Sequence, residues 1–291
     1  MRKNIFLAAV ACMAFFVANA QSVSGDVQTS PKVNKYLDYN YDKLSVKERK
    51  PLPFPSLREA DAVYAKRMQR VIDVREKKNL PLDWPGNPLW RVLRNNIMAG
   101  EGKGYGKLKA YKNDSMGSLY TVGDMEKKGS TPITMDVIVN PDYPDFTKSI
   151  DTIIPFEWNT VTRYLISEEW IFDKQRSAFF PRIIAIAPLF IMKRSGVDLG
   201  EQMLCWINNN DFRKIAINEE VFNRSNDAER LTYNDFFEQR LFSSYITKES
   251  NEFDAAINEL PEFKDDPMGA LYESERIKDN LFNWEHDLWE Y

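Results

Sequence analysis

Thr160-Val-Thr-Arg-Tyr-Leu-Ile-Ser-Glu-Glu-Trp-Ile-Phe-Asp173, then Lys174-Gln-Arg-Ser177, then Ala178-Phe-Phe-Pro-Arg-Ile-Ile-Ala-Ile-Ala-Pro-Leu-Phe190 is the stretch that decides the fold. Both arms are rich in β-branched and aromatic residues, and the polar tetrad between them reads as a turn. The stretch therefore predicts a long β-hairpin. Working outward, residues 107–111, 118–122, 133–139 and 202–207 read as further short strands, with turns at Asn113-Asp114 and Lys128-Gly129-Ser130. Helical spacing frames this block on both sides. Ser56 and Glu59 have the spacing of a capping box directly after Pro55. Leu57, Ala60, Val63, Tyr64, Met68, Val71 and Ile72 then recur at steps of three and four, which predicts a helix from Ser56 fading near Asn79. A shorter helix is predicted over 88–99, and others over 211–223, 233–246 and 267–289, the last with Asp266 as cap and Pro267 in its first position. The class expected is α+β: N-terminal helices, a central antiparallel sheet and C-terminal helices.

The first twenty residues, MRKNIFLAAVACMAFFVANA, have the layout of a secretory signal peptide. Arg2 and Lys3 precede an uncharged apolar run, and Ala18-Asn19-Ala20 forms the cleavage site. The run is about half the roughly 20 apolar residues of a membrane span. A retained anchor and a lipid-modified Cys12 are weaker readings of the same segment, because apolar residues continue past Cys12 and Ala9 stands where a leucine is usual. The expected domain plan is a signal peptide (1–20), an extended N-terminal strap (21–55), an α+β core (56–248) and an acidic helical C-terminal segment (249–291). The strap ends in Pro51-Leu-Pro-Phe-Pro55, whose alternate prolines favour a polyproline II path. It reads either as a stiff lead-in or as a strap along a neighbour.

The chemistry is sparse. The chain has two cysteines and one histidine; with Cys12 removed only Cys205 remains, in an apolar run that reads as core, and no internal disulfide is open to it. A Cys–His or Ser–His arrangement would have to use His286 near the end of the chain. Gly100-x-Gly-x-Gly-x-Gly106 follows a helix and precedes a strand, the reverse of a dinucleotide fingerprint. Glu168-Glu169, Glu219-Glu220 and Asp265-Asp266 supply carboxylate pairs, but neighbours on a strand face opposite sides. No catalytic, cofactor or metal residues are assigned and no cofactor is expected. An envelope hydrolase using paired carboxylates and a cell-wall binding module using exposed tryptophans stand as the alternative readings.

Charge is unevenly placed. Residues 43–112 hold 17 basic and 7 acidic side chains, whereas residues 248–291 hold 4 basic and 13 acidic. Opposed blocks of this kind suit either a tail folded on its own front half or head-to-tail contact between copies in a ring. The mildly acidic total does not suggest a nucleic-acid partner.

Pro51-Leu-Pro-Phe-Pro-Ser-Leu-Arg-Glu-Ala-Asp61, Lys66-Arg67, Arg70-Val-Ile-Asp-Val-Arg-Glu-Lys77 with Asn79, Glu169-Trp-Ile-Phe-Asp-Lys174 with Ser177, and Arg182-Ile-Ile-Ala-Ile-Ala-Pro188 together resemble the GldN/PorN family over roughly residues 36 to 245. The resemblance implies a periplasmic component of the type IX secretion and gliding machinery. It implies ring assembly with a GldK/PorK-type lipoprotein at the outer membrane, and contact with the periplasmic part of a GldM/PorM-type motor protein. It implies no active site. Tyr64, Gln69 and Leu80 depart from the family's usual residues. The reading is a non-enzymatic structural subunit, periplasmic and tied to the outer membrane through its partner. The candidate interface is Pro51, Pro53, Pro55, Arg58, Asp61, Arg67, Arg70, Trp284 and Trp289.

Overall fold

A computed structural model of the chain describes residues 49–98, 107–128, 130–138, 147–194 and 197–287. The signal peptide, most of the strap, the glycine run at 100–106 and Trp289 lie outside them. In chain order the elements are β1 (Ala62–Asp73), α1 (Leu89–Ile97), α2 (Val122–Lys127), β2 (Thr131–Ile138), β3 (Thr147–Ile154), β4 (Val161–Asp173), β5 (Ala178–Arg194), β6 (Val197–Met203), β7 (Ile207–Asn208), α3 (Asn209–Ala216), β8 (Glu220–Val221), β9 (Leu231–Thr232), α4 (Tyr233–Glu238), β10 (Tyr245–Glu249) and α5 (Pro267–Asp287).

The β4–β5 hairpin is the centre of the molecule, as its sequence predicts. Around it forms a curled antiparallel half-barrel in the order β10-β1-β4-β5-β6, with β7 also on β5. The helix expected from Ser56 is absent: a 3-10 turn at Glu59–Asp61 leads into β1, a twelve-residue strand paired along β4 from Ala62 to Asp73. The fold is therefore α+β without N-terminal helices ahead of the sheet. Two of the other short strands also change character. Residues 107–111 and 118–122 contribute only isolated bridges, Tyr111 to Leu119 and Tyr111 to Trp206, and Val122 starts a helix. The helix expected over 211–223 spans Asn209–Ala216 instead, and the one expected over 233–246 stops at Glu238, leaving Tyr245–Glu249 to form the edge strand. α1 and α5 lie where they are predicted, and Asp266 accepts the Gly269 backbone N–H at 3.0 Å, a cap for α5.

Residues opposite one another in antiparallel strands share a face. On one face of the sheet Ile72, Tyr164, Ile166, Ile186 and Phe190 join Leu89, Leu93, Phe212, Phe236 and Phe237 from α1, α3 and α4 in the main core. Further along the same face, Met68 and Ile246 pack with Ile257, Ile277 and Leu281, so α5 covers that end. Each aliphatic side chain buried there is worth about 1.5–3 kcal/mol. α5 also satisfies the sheet edge, because the Ser274 hydroxyl accepts the Ile246 backbone N–H at 3.1 Å. From Lys50 onward the chain forms one compact unit.

Candidate functional site

The strap docks on its own chain. Pro51–Pro55 lies beside Pro181 and Ile183, on a stretch of β5 that pairs β4 on one side and no described strand on the other. A proline on such an edge forfeits no ladder bond. Two arginines hold the strap. Arg213 donates to the Leu52 carbonyl at 2.8 Å, Arg182 donates to the Pro55 carbonyl at 2.8 Å, and the Phe54 ring lies 3.9 Å from the Arg213 guanidinium and 5.3 Å from that of Arg182. Cation–π contact of this kind contributes about 0.5–2 kcal/mol. Arg213 is itself fixed by Glu238 at 2.7 Å and by the Asn234 side chain at 3.3 Å. Because the strap is held through carbonyls and one ring, Leu52, Pro53 and Pro55 stay exposed, Leu52 at 82%.

The remaining predicted interface residues divide into three groups. Pro53, Pro55, Arg58 and Arg67 are exposed and Pro51 is half-buried. Arg58 pairs with Asp61 at 2.9 Å, and Asp61 also accepts from Gln175 at 3.0 Å, which ties the start of β1 to the hairpin turn. Arg70 is buried within the sheet face. Trp284 is half-buried in an aromatic cluster, its ring centroid 4.6 Å from Tyr64, 5.5 Å from Phe172 and 5.1 Å from Phe179, and so anchors α5 to the sheet. The strap thus lies on β5 at Pro181 and Ile183, while Trp284 packs on Phe179, two residues earlier in the same strand, and on Phe172 of β4.

Between the two hydrophobic clusters runs a charged belt that the sequence does not announce. Glu168 follows Tyr164 and Ile166 on the core side of β4 by plain strand alternation, with no exposure, and the β-bulge beside it falls on β5, at Ile184. Its carboxylate accepts two bonds from Arg240, at 2.6 and 3.1 Å, and lies 3.5 Å from the Arg70 guanidinium. Arg240 sits at the end of α4 with φ 53°, the left-handed region that glycine favours. Arg70 also donates to the Ser244 hydroxyl at 3.1 Å. Burial lowers the Arg70 pKa, and Glu168 only partly offsets that effect. One carboxylate therefore serves two cations. Arg182, Arg213 and Arg240 are the further residues that sequence reasoning missed. Arg182 does carry a sequence signal, a charge inside an apolar strand.

The groups weighed for chemistry are placed as follows. Cys205 is fully buried and burial pushes its thiol up to about 12, so no thiolate forms near neutral pH. Glu168 is buried and Glu169 is its half-exposed neighbour on the other sheet face. Glu220 pairs with Arg230 at 3.1 Å, and Glu219 accepts from Asn87 at 3.0 Å. Among the described residues no group of three or more His, Cys, Asp or Glu side chains is placed to hold a metal ion. Nor is any described helix long and apolar enough to cross a membrane.

No curated protein matches the chain. Residues 57–290, from just after the proline strap to the penultimate residue, match the family described as "Gliding motility associated protein GldN". That span takes in β1, the hairpin, both arginines that hold the strap, and α5. The chain belongs to the GldN gliding motility associated protein family.

Proposed function

We propose that this protein is a non-enzymatic structural subunit of a periplasmic secretion and gliding ring. In this reading it binds a GldK/PorK-type outer-membrane lipoprotein and copies of itself, and contacts the periplasmic domain of a GldM/PorM-type motor protein. Type IX secretion is the process served, and the lipoprotein tethers the subunit to the outer membrane. The observation that carries the reading is the strap. A proline-rich segment is locked in an extended path by Arg182 and Arg213 while Leu52 points away from its own chain. A pre-ordered strip of this kind loses little entropy on association, which is what a repeated structural contact requires.

Leu52→Asp is the informative variant, because the Leu52 side chain is 82% exposed while its backbone carbonyl accepts from Arg213. The folded variant should melt as the wild type does but fail to co-purify with the envelope lipoprotein. Undiminished capture by Leu52→Asp, or a wild-type protein that stays monomeric and never retains the lipoprotein, would reject the proposal.

A further inference from the structure

The cavity bordered by the end of α4, the start of β10 and α5 has a volume of about 420 Å³, within the range of small-ligand sites. Its lining is short of negative charge. Arg70, Arg240, Lys78 and Lys278 face it, against Glu285 in the wall and Glu168 behind. Glu168 is already shared by two guanidiniums. Neither lysine has an ion-pair partner among the described residues, and both are exposed. The Ser243 and Ser244 side chains join this donor-rich lining, and the indole N–H of Trp170, also in the wall, is buried without an acceptor among the described residues. The rest of the lining is apolar: Phe242 and Leu281 are buried and Phe282 stands 67% exposed at the rim. The space under Phe54 is about 30 Å³, room for a water and no more.

We propose that this cavity binds a small oxyanion, a carboxylate or phosphate, carried on a flat apolar body. The oxyanion would sit between Arg70, Lys78 and Lys278, whose donors are in excess there. The body would lie against Phe242, Leu281 and Phe282. Arg240 is committed to Glu168 and supplies positive potential behind the site. This site does not depend on the ring reading, although Arg240 also lines the space under Phe54 of the strap.

Calorimetric titration of the full processed chain tests it, using phenyl phosphate, N-acetylphenylalanine, its uncharged amide and inorganic phosphate as probes. Phenyl phosphate or N-acetylphenylalanine should bind saturably, the amide about tenfold more weakly or not at all, and inorganic phosphate more weakly than phenyl phosphate. Preference between the two charged probes identifies phosphate or carboxylate as the natural group. In the same titration followed by NMR, the Trp170 indole resonance, assigned with Trp170→Phe, should move with the same affinity. Lys78→Ala/Lys278→Ala removes two exposed side chains without breaking an ion pair, and should weaken binding about tenfold or more while leaving the melting temperature in place. Equal affinity for acid and amide, no saturable binding of either charged aromatic probe, or unchanged binding in the double variant would overturn the proposal.

Discussion

Replacing Glu168 with glutamine removes one charge and leaves the shape. In the folded protein Arg70 is 8% exposed and relies on Glu168 and the Ser244 hydroxyl; after the change only neutral acceptors, the hydroxyl and the new amide oxygen, face its charge. Breaking a buried pair from one side costs about 3–5 kcal/mol, chiefly because the other charge is left uncompensated. Arg240 softens the loss, since its side chain is 26% exposed and can turn toward water. The lower end, about 3 kcal/mol, is therefore expected. A protein of this size holds together by about 5–15 kcal/mol, and each kcal/mol moves the midpoint by about 2–4 °C, so Glu168→Gln should melt about 6–12 °C lower. Urea unfolding followed by tryptophan fluorescence gives the free energy directly. Two controls separate this cause from general damage. The deficit should persist in high salt, which screens exposed pairs but not buried ones. Glu168→Leu combined with Arg70→Met should recover most of the loss, because apolar groups of similar volume need no partner. A loss under about 1 kcal/mol, or one that disappears in high salt, would show that the belt is solvated and that the reasoning fails.

Four further outcomes are expected. Phe54→Ala should leave the global midpoint nearly unchanged yet speed proteolytic cutting near Leu52 by about fivefold, since the cation–π contact with Arg213 contributes only about 1 kcal/mol to strap docking; equal cutting rates would contradict this. Trp284→Ala should reduce hydrogen-exchange protection selectively in α5, where Trp284 joins Tyr64, Phe172 and Phe179. Cys205 should resist a disulfide reagent at pH 8 in the native protein and react fully in urea, because burial pushes its thiol up to about 12. Asp73 is held well below the usual carboxylate range by hydrogen bonding from Arg75 and then Arg163, so its stabilisation is complete above about pH 4 and is lost as the pH falls through its depressed folded value. Acid unfolding of Asp73→Asn should accordingly show a flatter stability profile below about pH 4 than the wild type, and superimposable profiles would exclude this role.

The two ends of the molecule differ in how far local sequence reaches. Ala178–Phe190 reads as a strand from its β-branched and aromatic residues, and Pro181 and Pro188 punctuate it against a helix. α5 likewise carries its own start signal in Asp266-Pro267. β1 does not. Tyr64, Met68 and Ile72 do share a face at strand spacing, but Lys66 and Arg70 interrupt them, and the interrupted pattern matches a helix equally well. What admits those two charges to the core side is Glu249 for Lys66, at 3.2 Å, and Glu168 for Arg70.

By itself, then, the sequence determined the central hairpin, the helices at 89–97 and 267–287, and the family, because each rests on residues adjacent in the chain or on a matched motif. Tertiary structure alone decided that β1 is a strand, that the buried Glu168 meets Arg70 and Arg240, and that the strap lies on β5. In each case a charged side chain on the buried side is tolerated only because a partner of opposite sign, or an aromatic ring, arrives from far along the chain.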